Sequence, residues 1–453
     1  MMREAAFRIK TALGGRSSTD AYREFLAMDA LDPAAIAEVS ARRSAEHAQF
    51  AFGHSPFYRE LYSSHGFSAD DLRDPAAFSA LPIVDKAMLR ENFDSIRTDE
   101  ADDRTSVVSK TGGSTGLPLH LLRDLRFPAR ALEWRLFEWW GVRPWDDRGI
   151  VTRHVLTGAA RIRHDLGWLP SRRVQLDAFQ ITDEAVAEFA RSWNRVRPRF
   201  LIGYGGGVLD TVRRLQRLGL TLTPPRAVAV TAAPLTAGTR AEIEAAFGAP
   251  CFDHYRSAEI PWMAGECAHQ SGLHVFADAR RIEIVDEADA VVAEGVEGEV
   301  VVSDLTNRVF PVIRYRLGDI SRFLPGACPC GRGLPRLGAI SGRSSDAVRL
   351  PDGTTIAGAL GHIFDDFPLS IRQFEIVQDS DYSVTLRCIP SERSDAQAGI
   401  DAAVEKLRFA TRGIVPVTVE RVDSIPQVGG KMRFIRSAVP ASPGTETSGE
   451  GPA

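Results

Sequence analysis

No stretch of the 453-residue chain approaches the roughly 20 consecutive apolar residues that a membrane-crossing helix requires. A membrane partner is therefore not expected. Cysteine is scarce, and five residues, an odd number, argue against a disulfide framework and leave metal binding or buried thiols. An excess of basic charge is also missing: 59 acidic and 55 basic residues are mixed along the chain for a formal charge of -4. Neither a basic stripe for nucleic acid nor a polybasic tail for an anionic surface is present. Met1 to Lys10 lacks the apolar run and small-residue cleavage site of an export signal, so a cytoplasmic location is expected. There is no internal repeat. The expected partners are small molecules, with self-association as a homodimer left open.

Hydrophobic residues make up 44% of a chain too long for one simple core, which implies a large domain and a smaller one. Pro33 to about Phe52 has a helical pattern, with Ile36, Val39 and Phe50 near one face and Arg43 interrupting it. Gly149 to Thr152, Phe200 to Tyr204 and Ala227 to Thr231 read as strands, and Val208 to Leu218 and Gly238 to Phe247 as helices. That alternation implies an α/β fold with a largely parallel sheet. Successive strand-like segments at Arg281 to Asp286, Gly298 to Ser303 and Val312 to Tyr315 imply a β-rich subdomain. The texture changes again near Gly342 to Asp346. The expected organisation is a large domain over 1–341, a small mobile α+β domain over 342–438 and a disordered tail over 439–453, rich in Pro, Gly, Ser and Thr.

The sharpest local signal is Ser109-Lys110-Thr111-Gly112-Gly113-Ser114-Thr115-Gly116-Leu117-Pro118. Glycines let the backbone turn its amides toward an anion, and the hydroxyls of Thr111, Ser114 and Thr115 add donors for phosphate oxygens. The bland reading is an ordinary hairpin loop, and the Gly-Lys-Ser/Thr ending of a Walker P-loop is absent.

Further segments follow in a fixed order. They are Ser55-Pro56-Phe57-Tyr58-Arg59-Glu60-Leu61 with Leu81-Pro82 and Lys86, Phe247-Gly248 leading to Tyr255-Arg256-Ser257-Ala258-Glu259, Pro311-Val312-Ile313-Arg314-Tyr315-Arg316-Leu317-Gly318-Asp319, Gly342-Arg343-Ser344-Ser345-Asp346 and Gly430-Lys431-Met432-Arg433. With the Gly-rich loop, this series resembles the phenylacetate-coenzyme A ligase branch of the adenylate-forming enzymes, over about residues 55 to 435. The resemblance implies an ATP-dependent, AMP-forming acid–thiol ligase that uses Mg²⁺ and has coenzyme A as its default acceptor. It assigns ATP binding to Thr111, Gly112, Gly113, Ser114, Thr115, Gly116, Ala233, Pro234, Asp253, Tyr255, Ser257, Asp319 and Arg343. Glu259 becomes the Mg²⁺ ligand, Asp319, ending a strand segment after Gly318, the ribose acceptor and Tyr255 the adenine neighbour. Lys431, Glu259 and Arg343 are the catalytic set, and Ser345 lies at the hinge. Each has a plain reading too: a solvated Glu, a turn Asp, a core Tyr, an exposed Lys. Leu117, Arg256, Ala233 and Ser345 depart from the family's usual residues, nearer to relatives from capsule and natural-product pathways. An amine or hydroxyl acceptor, or a lapsed nucleotide-binding homologue, are the competing readings.

Cys267, His274, Cys328 and Cys330 form a second constellation, the usual three-sulfur, one-imidazole set of a structural Zn²⁺ site. Similar positions bind zinc in some relatives. His254 and His269 are stand-ins for His274, and Cys251 and Cys388 read as buried thiols. The carboxylic acid substrate is not legible: Phe137, Trp139, Trp140 and Tyr204 suit an aryl pocket, and the tryptophans equally suit a core.

Overall fold

A computed structural model describes residues 2–13, 17–111, 119–152, 156, 158–178, 181–343, 347–352, 354–356, 360, 363–364, 366–367, 369–425 and 434–439. The chain divides into two compact units, one made mainly of Met1–Leu235 and Arg240–Ile340, the other mainly of Ser341–Val428.

In the first unit, β1 (Ser106–Thr111) and β2 (Leu119–Asp124) pair as an antiparallel hairpin in which Thr111 faces Leu119. The Gly-rich segment joins them, and residues 112–118 lie outside the described residues. Five strands then form a parallel array in the order β4-β3-β5-β6-β7: β3 (Arg148–Thr152), β4 (Arg173–Asp177), β5 (Phe200–Tyr204), β6 (Ala227–Thr231) and β7 (Cys251–Tyr255). The three expected strands are β3, β5 and β6, and their pairing is parallel as the alternation with helices requires. All five residues of β6 are buried, which suits a strand covered on both faces. Gly149 is required in β3 because a Cβ there would collide with the Trp193 ring of the Asp183–Val196 helix. That helix starts at Thr182, whose hydroxyl accepts from the Ala185 amide at 3.2 Å. It buries Val186, Phe189, Ala190 and Trp193, one stripe at helical spacing.

The sheet continues antiparallel through β8 (Ala264–Glu266) and β9 (Leu273–Val275). A meander follows, made of β10 (Arg280–Val285), β11 (Gly298–Asp304) and β12 (Val312–Ser321). Strand β12 runs on past Tyr315, so Asp319 lies inside a strand and not at the strand end expected from Gly-Asp. The second unit pairs Ile371–Gln378 with Val384–Pro390 antiparallel and is flanked in parallel by Val417–Arg421 and Ile435–Ser437. The Ala396–Ala410 helix buries Ile400, Ala403, Val404 and Leu407, giving a sheet-and-helix α+β unit. Gly342–Arg343 is a short strand, whereas Ser344, Ser345, Asp346, Lys431 and the segment 440–453 lie outside the described residues. Among the described residues no helix is long and apolar enough to cross a membrane.

The Pro33–His54 helix is longer than expected and turns a different face inward. Ile36, Ser44, Ala45, His47, Ala48 and Ala51 are buried, while Val39 and Phe50 are half-buried. Arg43 does not break it, because its guanidinium reaches the Asp278 carbonyl at 2.6 Å. His47 is buried against Phe50 with its Nε2 unbonded, and burial lowers its pKa to about 4. The folded chain keeps this ring neutral while the unfolded chain protonates it below about pH 6.5. Its stabilising contribution is therefore present above that pH and is lost as pH falls toward 4. Wild type should lose about 2 kcal/mol more than His47→Gln between pH 6.5 and pH 5, measured by urea unfolding; parallel pH profiles would refute this.

Candidate functional site

Strand β7 ends in Asp253-His254-Tyr255, and the parallel sheet's carboxyl ends are where open α/β sheets bind ligands. The Tyr255 hydroxyl donates to Asp319 Oδ2 at 2.6 Å, joining two sequence motifs 64 residues apart, with both side chains buried. A bulge in β12 makes this possible. The chain passes from Arg316 to Ile320 while its partner β11 moves only from Val301 to Glu299, and Gly318 takes up the excess at φ 79°. Asp319 is thereby turned toward β7. Beyond Tyr255 the chain tightens: the Ser257 amide donates to the Ile260 carbonyl at 3.1 Å, and the Ile260 amide to Ser257 Oγ at 2.9 Å. Glu259 is half-exposed on this turn, and Arg123 of β2 donates to the Ala258 carbonyl at 3.3 Å. Ala233 and Pro234 follow Ala232, which has φ 67°, in a tight turn at the end of β6.

The Gly-rich residues Gly112, Gly113, Ser114, Thr115 and Gly116, with Ser345 and Lys431, fall outside the described residues, and of Thr111 and Arg343 only the strand backbone is described. Thus Ala233, Pro234, Asp253, Tyr255, Ser257, Glu259 and Asp319 are the expected site residues the structure locates in full. It brings Tyr255 and Asp319 into direct contact.

A buried carboxylate fixes β7 from the other direction. Glu266 accepts from Arg240 at 2.7 and 3.0 Å and from the Asp253 amide at 2.7 Å. Its own carbonyl accepts from Trp140 Nε1 at 2.9 Å. Burial, with Glu266 close by, raises the Asp253 carboxyl to about 8, so it is largely protonated at neutral pH.

Cys267 follows Glu266 directly. The ligand atoms of Cys267, His274, Cys328 and Cys330 all lie within 4.8 Å of one another. Cys267 Sγ is 3.7 Å from Cys328 Sγ, and Cys330 Sγ is 3.4 Å from His274 Nε2. A Zn–S bond of about 2.3 Å corresponds to a tetrahedral edge of about 3.8 Å, close to the Cys267–Cys328 separation, so the four atoms are near enough to share one ion. His274 Nδ1 points at the Leu334 carbonyl at 3.4 Å, which leaves Nε2 as the inward ligand atom. Of the two stand-ins, His254 is buried elsewhere against Trp140 and Trp262, and His269 is exposed; His274 is the imidazole of the cluster. Cys251 and Cys388 are buried thiols, as expected. Trp139 packs edge-on against His274 at 5.7 Å and donates to Asp29 at 2.6 Å, so it walls the cluster; Phe137 is buried in the core.

No family model matches the chain. It is 29% identical over 310 residues to a phenylacetate-coenzyme A ligase of Aromatoleum evansii, covering 66% of this chain and 68% of that one. A phenylacetate-coenzyme A ligase of Escherichia coli (strain K12) is 26% identical over 340 residues, 71% and 75% of the two chains. Protein CapK of Staphylococcus aureus is 23% identical over 421 residues, 88% of each. In fold the chain is similar to 2-hydroxyisobutyryl-CoA ligase in its postadenylation state, with a TM-score of 0.71 at 21% identity over 90% of this chain and 91% of that one. The chain is thus similar in sequence to phenylacetate-coenzyme A ligases and in fold to a CoA ligase.

The sequence pattern had no means of revealing the Glu266–Arg240 bracket, because the partners sit on different elements and neither belongs to a motif. Nor does the sequence reveal the Tyr255 hydroxyl as donor to Asp319, since the two residues meet only in the folded chain. Removing one partner of a buried ion pair leaves the other charge uncompensated. Glu266→Ala should therefore lower unfolding free energy by about 3 kcal/mol in urea titration; a loss no larger than that of an exposed Glu→Ala control would show that the bracket is dispensable.

Proposed function

We propose that this chain activates a carboxylic acid with ATP as an acyl-adenylate and then transfers the acyl group to a thiol, with coenzyme A as the acceptor in keeping with its relatives. The observation that carries the reading is the Tyr255–Asp319 hydrogen bond, which unites two motifs of the adenylate-forming series at the carboxyl end of a parallel sheet.

In the first half-reaction a carboxylate oxygen bonds to the α-phosphorus of ATP while the bond from that phosphorus to the pyrophosphate oxygen breaks. The chain's task is to hold the two reactants in line and to oppose the negative charge that grows between them. In this reading Asp319, oriented by Tyr255, accepts hydrogen bonds from the ribose hydroxyls. The residues Thr111 to Gly116 cradle the phosphates, and Ala233, Pro234, Asp253 and Ser257 line the nucleotide's remaining surface. Glu259, half-exposed on its turn, is a carboxylate of the kind Mg²⁺ takes alongside phosphate oxygens and water. Bound there, the ion would neutralise phosphate charge. Arg343 and Lys431 belong to the small domain, proposed to span 342–438 and to pivot at Ser345, with Lys431 meeting the α-phosphate during adenylation. In the second half-reaction the acceptor sulfur bonds to the acyl carbon, and AMP leaves with the electron pair of the former anhydride bond.

Cys267, His274, Cys328 and Cys330 are proposed to hold one structural Zn²⁺. Four protein ligands leave no open position, and the cluster's role is to brace the loops that follow β8. Protein purified without chelator should carry about one zinc per chain by elemental analysis, and stripping it should lower the melting temperature. Metal-free protein with an unaltered melting temperature would refute the assignment.

Glu259→Gln and Asp319→Asn should each abolish acid-dependent pyrophosphate exchange. Lys431→Ala should slow adenylation by about a hundredfold or more while sparing the thiol step when acyl-adenylate is supplied. Single-turnover kinetics of each half-reaction decide the matter. Parent-like exchange in the two carboxylate variants, or equal loss in both halves for Lys431→Ala, would contradict these roles.

A further inference from the structure

Three thiolates and a neutral imidazole around Zn²⁺ leave one net negative charge, and a charge taken out of water needs a partner. The side chain placed to answer it is Arg336. This residue stands directly opposite His274 in the antiparallel pairing of Arg336–Leu337 with β9, so the two side chains share one face of the sheet. It is half-buried, its Nε is buried with no acceptor, and among the described residues no carboxylate pairs with it. Arg332 differs. It lies two residues after Cys330 but sits over the Trp139 ring at 4.7 Å and approaches the Asp29 carboxylate at 3.6 Å, so its charge is already answered.

The other two nitrogens of Arg336 hold the segments that carry the ligands. Nη1 donates to the Ser271 carbonyl at 2.7 Å and lies 3.4 Å from Ser271 Oγ, while Nη2 donates to the Pro325 and Gly326 carbonyls at 3.0 and 3.1 Å. One guanidinium thus ties the turn before β9 to the loop that leads into Cys328 and Cys330. Ser271 carries the link on to the ligand itself, because its Oγ is 3.3 Å from Cys328 Sγ. A hydroxyl has one proton and two lone pairs. With the guanidinium approaching a lone pair, the proton is left to point at the sulfur, and a metal-bound thiolate is an acceptor for it.

We propose that Arg336 and Ser271 are positioning residues for the metal ion, a donor relay from guanidinium to hydroxyl to the Cys328 sulfur that sets how tightly the ion is held. The inference rests on the zinc reading above. Neither residue ligates the ion, so the signature of the relay is a change in affinity together with a change at the metal–sulfur bond.

The test uses the full chain purified with its metal. Zn²⁺ affinity is measured by competition with a chromophoric chelator, and the Co²⁺-exchanged protein reports the sulfur-to-cobalt charge-transfer band. Ser271→Ala should weaken Zn²⁺ binding by about tenfold or more, the usual range for loss of a partner that orients a ligand. The band should move to lower energy, because a hydrogen bond stabilises the sulfur lone pairs and its loss raises them. Arg336→Gln should weaken binding at least as much, since it removes the relay's charge and its hold on the loop. Ser271→Thr, which keeps the hydroxyl, should restore the parental affinity and band. Should Arg336→Gln fail to fold, the two Ser271 variants still decide. Parental affinity and band in Ser271→Ala overturn the inference while the zinc reading stands. Weaker binding with an unmoved band overturns it too, since that is what a general loosening of the fold produces. Wild type that retains neither Zn²⁺ nor Co²⁺ overturns the zinc reading, and this inference falls with it.

Discussion

The hydrogen bond from the Tyr255 hydroxyl to Asp319 is the constraint on which the candidate site depends. One partner sits at the end of a parallel strand and the other in the middle of an antiparallel meander, and the two sheets have no reason in their own hydrogen-bond ladders to agree on a position. A buried bond to a carboxylate is among the stronger neutral-to-charged contacts available, and it works only over a narrow range of distance and angle. It therefore sets where the end of β7 lies against the β12 bulge. The positive φ of Gly318 serves that end, since without the extra residues in β12 the carboxylate would not turn toward β7.

Strand β7 is held just as firmly on its amide side. Glu266 accepts from the Asp253 amide and pairs with Arg240, while the residue after it is the first cysteine of the Cys/His cluster. A single short segment, Ala264–Glu266 with Cys267, thus ties the edge of the parallel array to the four-ligand cluster through backbone continuity. Whatever orders Cys267 also limits how far Glu266, and through it β7, can move. Successive strand residues face opposite sides, so Tyr255 and His254 serve different surroundings. Tyr255 meets Asp319, whereas His254 stacks on Trp262 and tilts against Trp140.

Several buried charges in this unit share one logic. Arg135 is fully buried between Asp29 and Asp278, and Arg314 pairs with Glu283. Isolated in the interior, each would be strongly destabilising, so their value lies in demanding a particular arrangement of the helices and strands that carry the partners. Trp139 joins the first of these sets through Asp29 and touches His274, which couples the packing of the Arg130–Trp139 helix to the cluster.

Local pattern by itself determined the α/β class, the identity of β3, β5 and β6 and the choice of four Cys and His residues that the fold brings together, because periodicity, strand length and side-chain chemistry are written in neighbouring residues or in residue type. The ordered motifs likewise carried the resemblance to phenylacetate-coenzyme A ligases, with one of which the chain shares 29% identity over 310 residues. Tertiary structure decided what depends on distant partners. It set the inward face of the Pro33–His54 helix, where Arg43 is accommodated by a carbonyl more than two hundred residues away. It placed Asp319 inside a bulged strand and not at its end, since a bulge exists only relative to the strand it pairs with. It chose His274 over His254 and His269 for the cluster and packed His254 between Trp140 and Trp262, because which side chains surround an imidazole is decided by the packing of elements and not by their order along the chain.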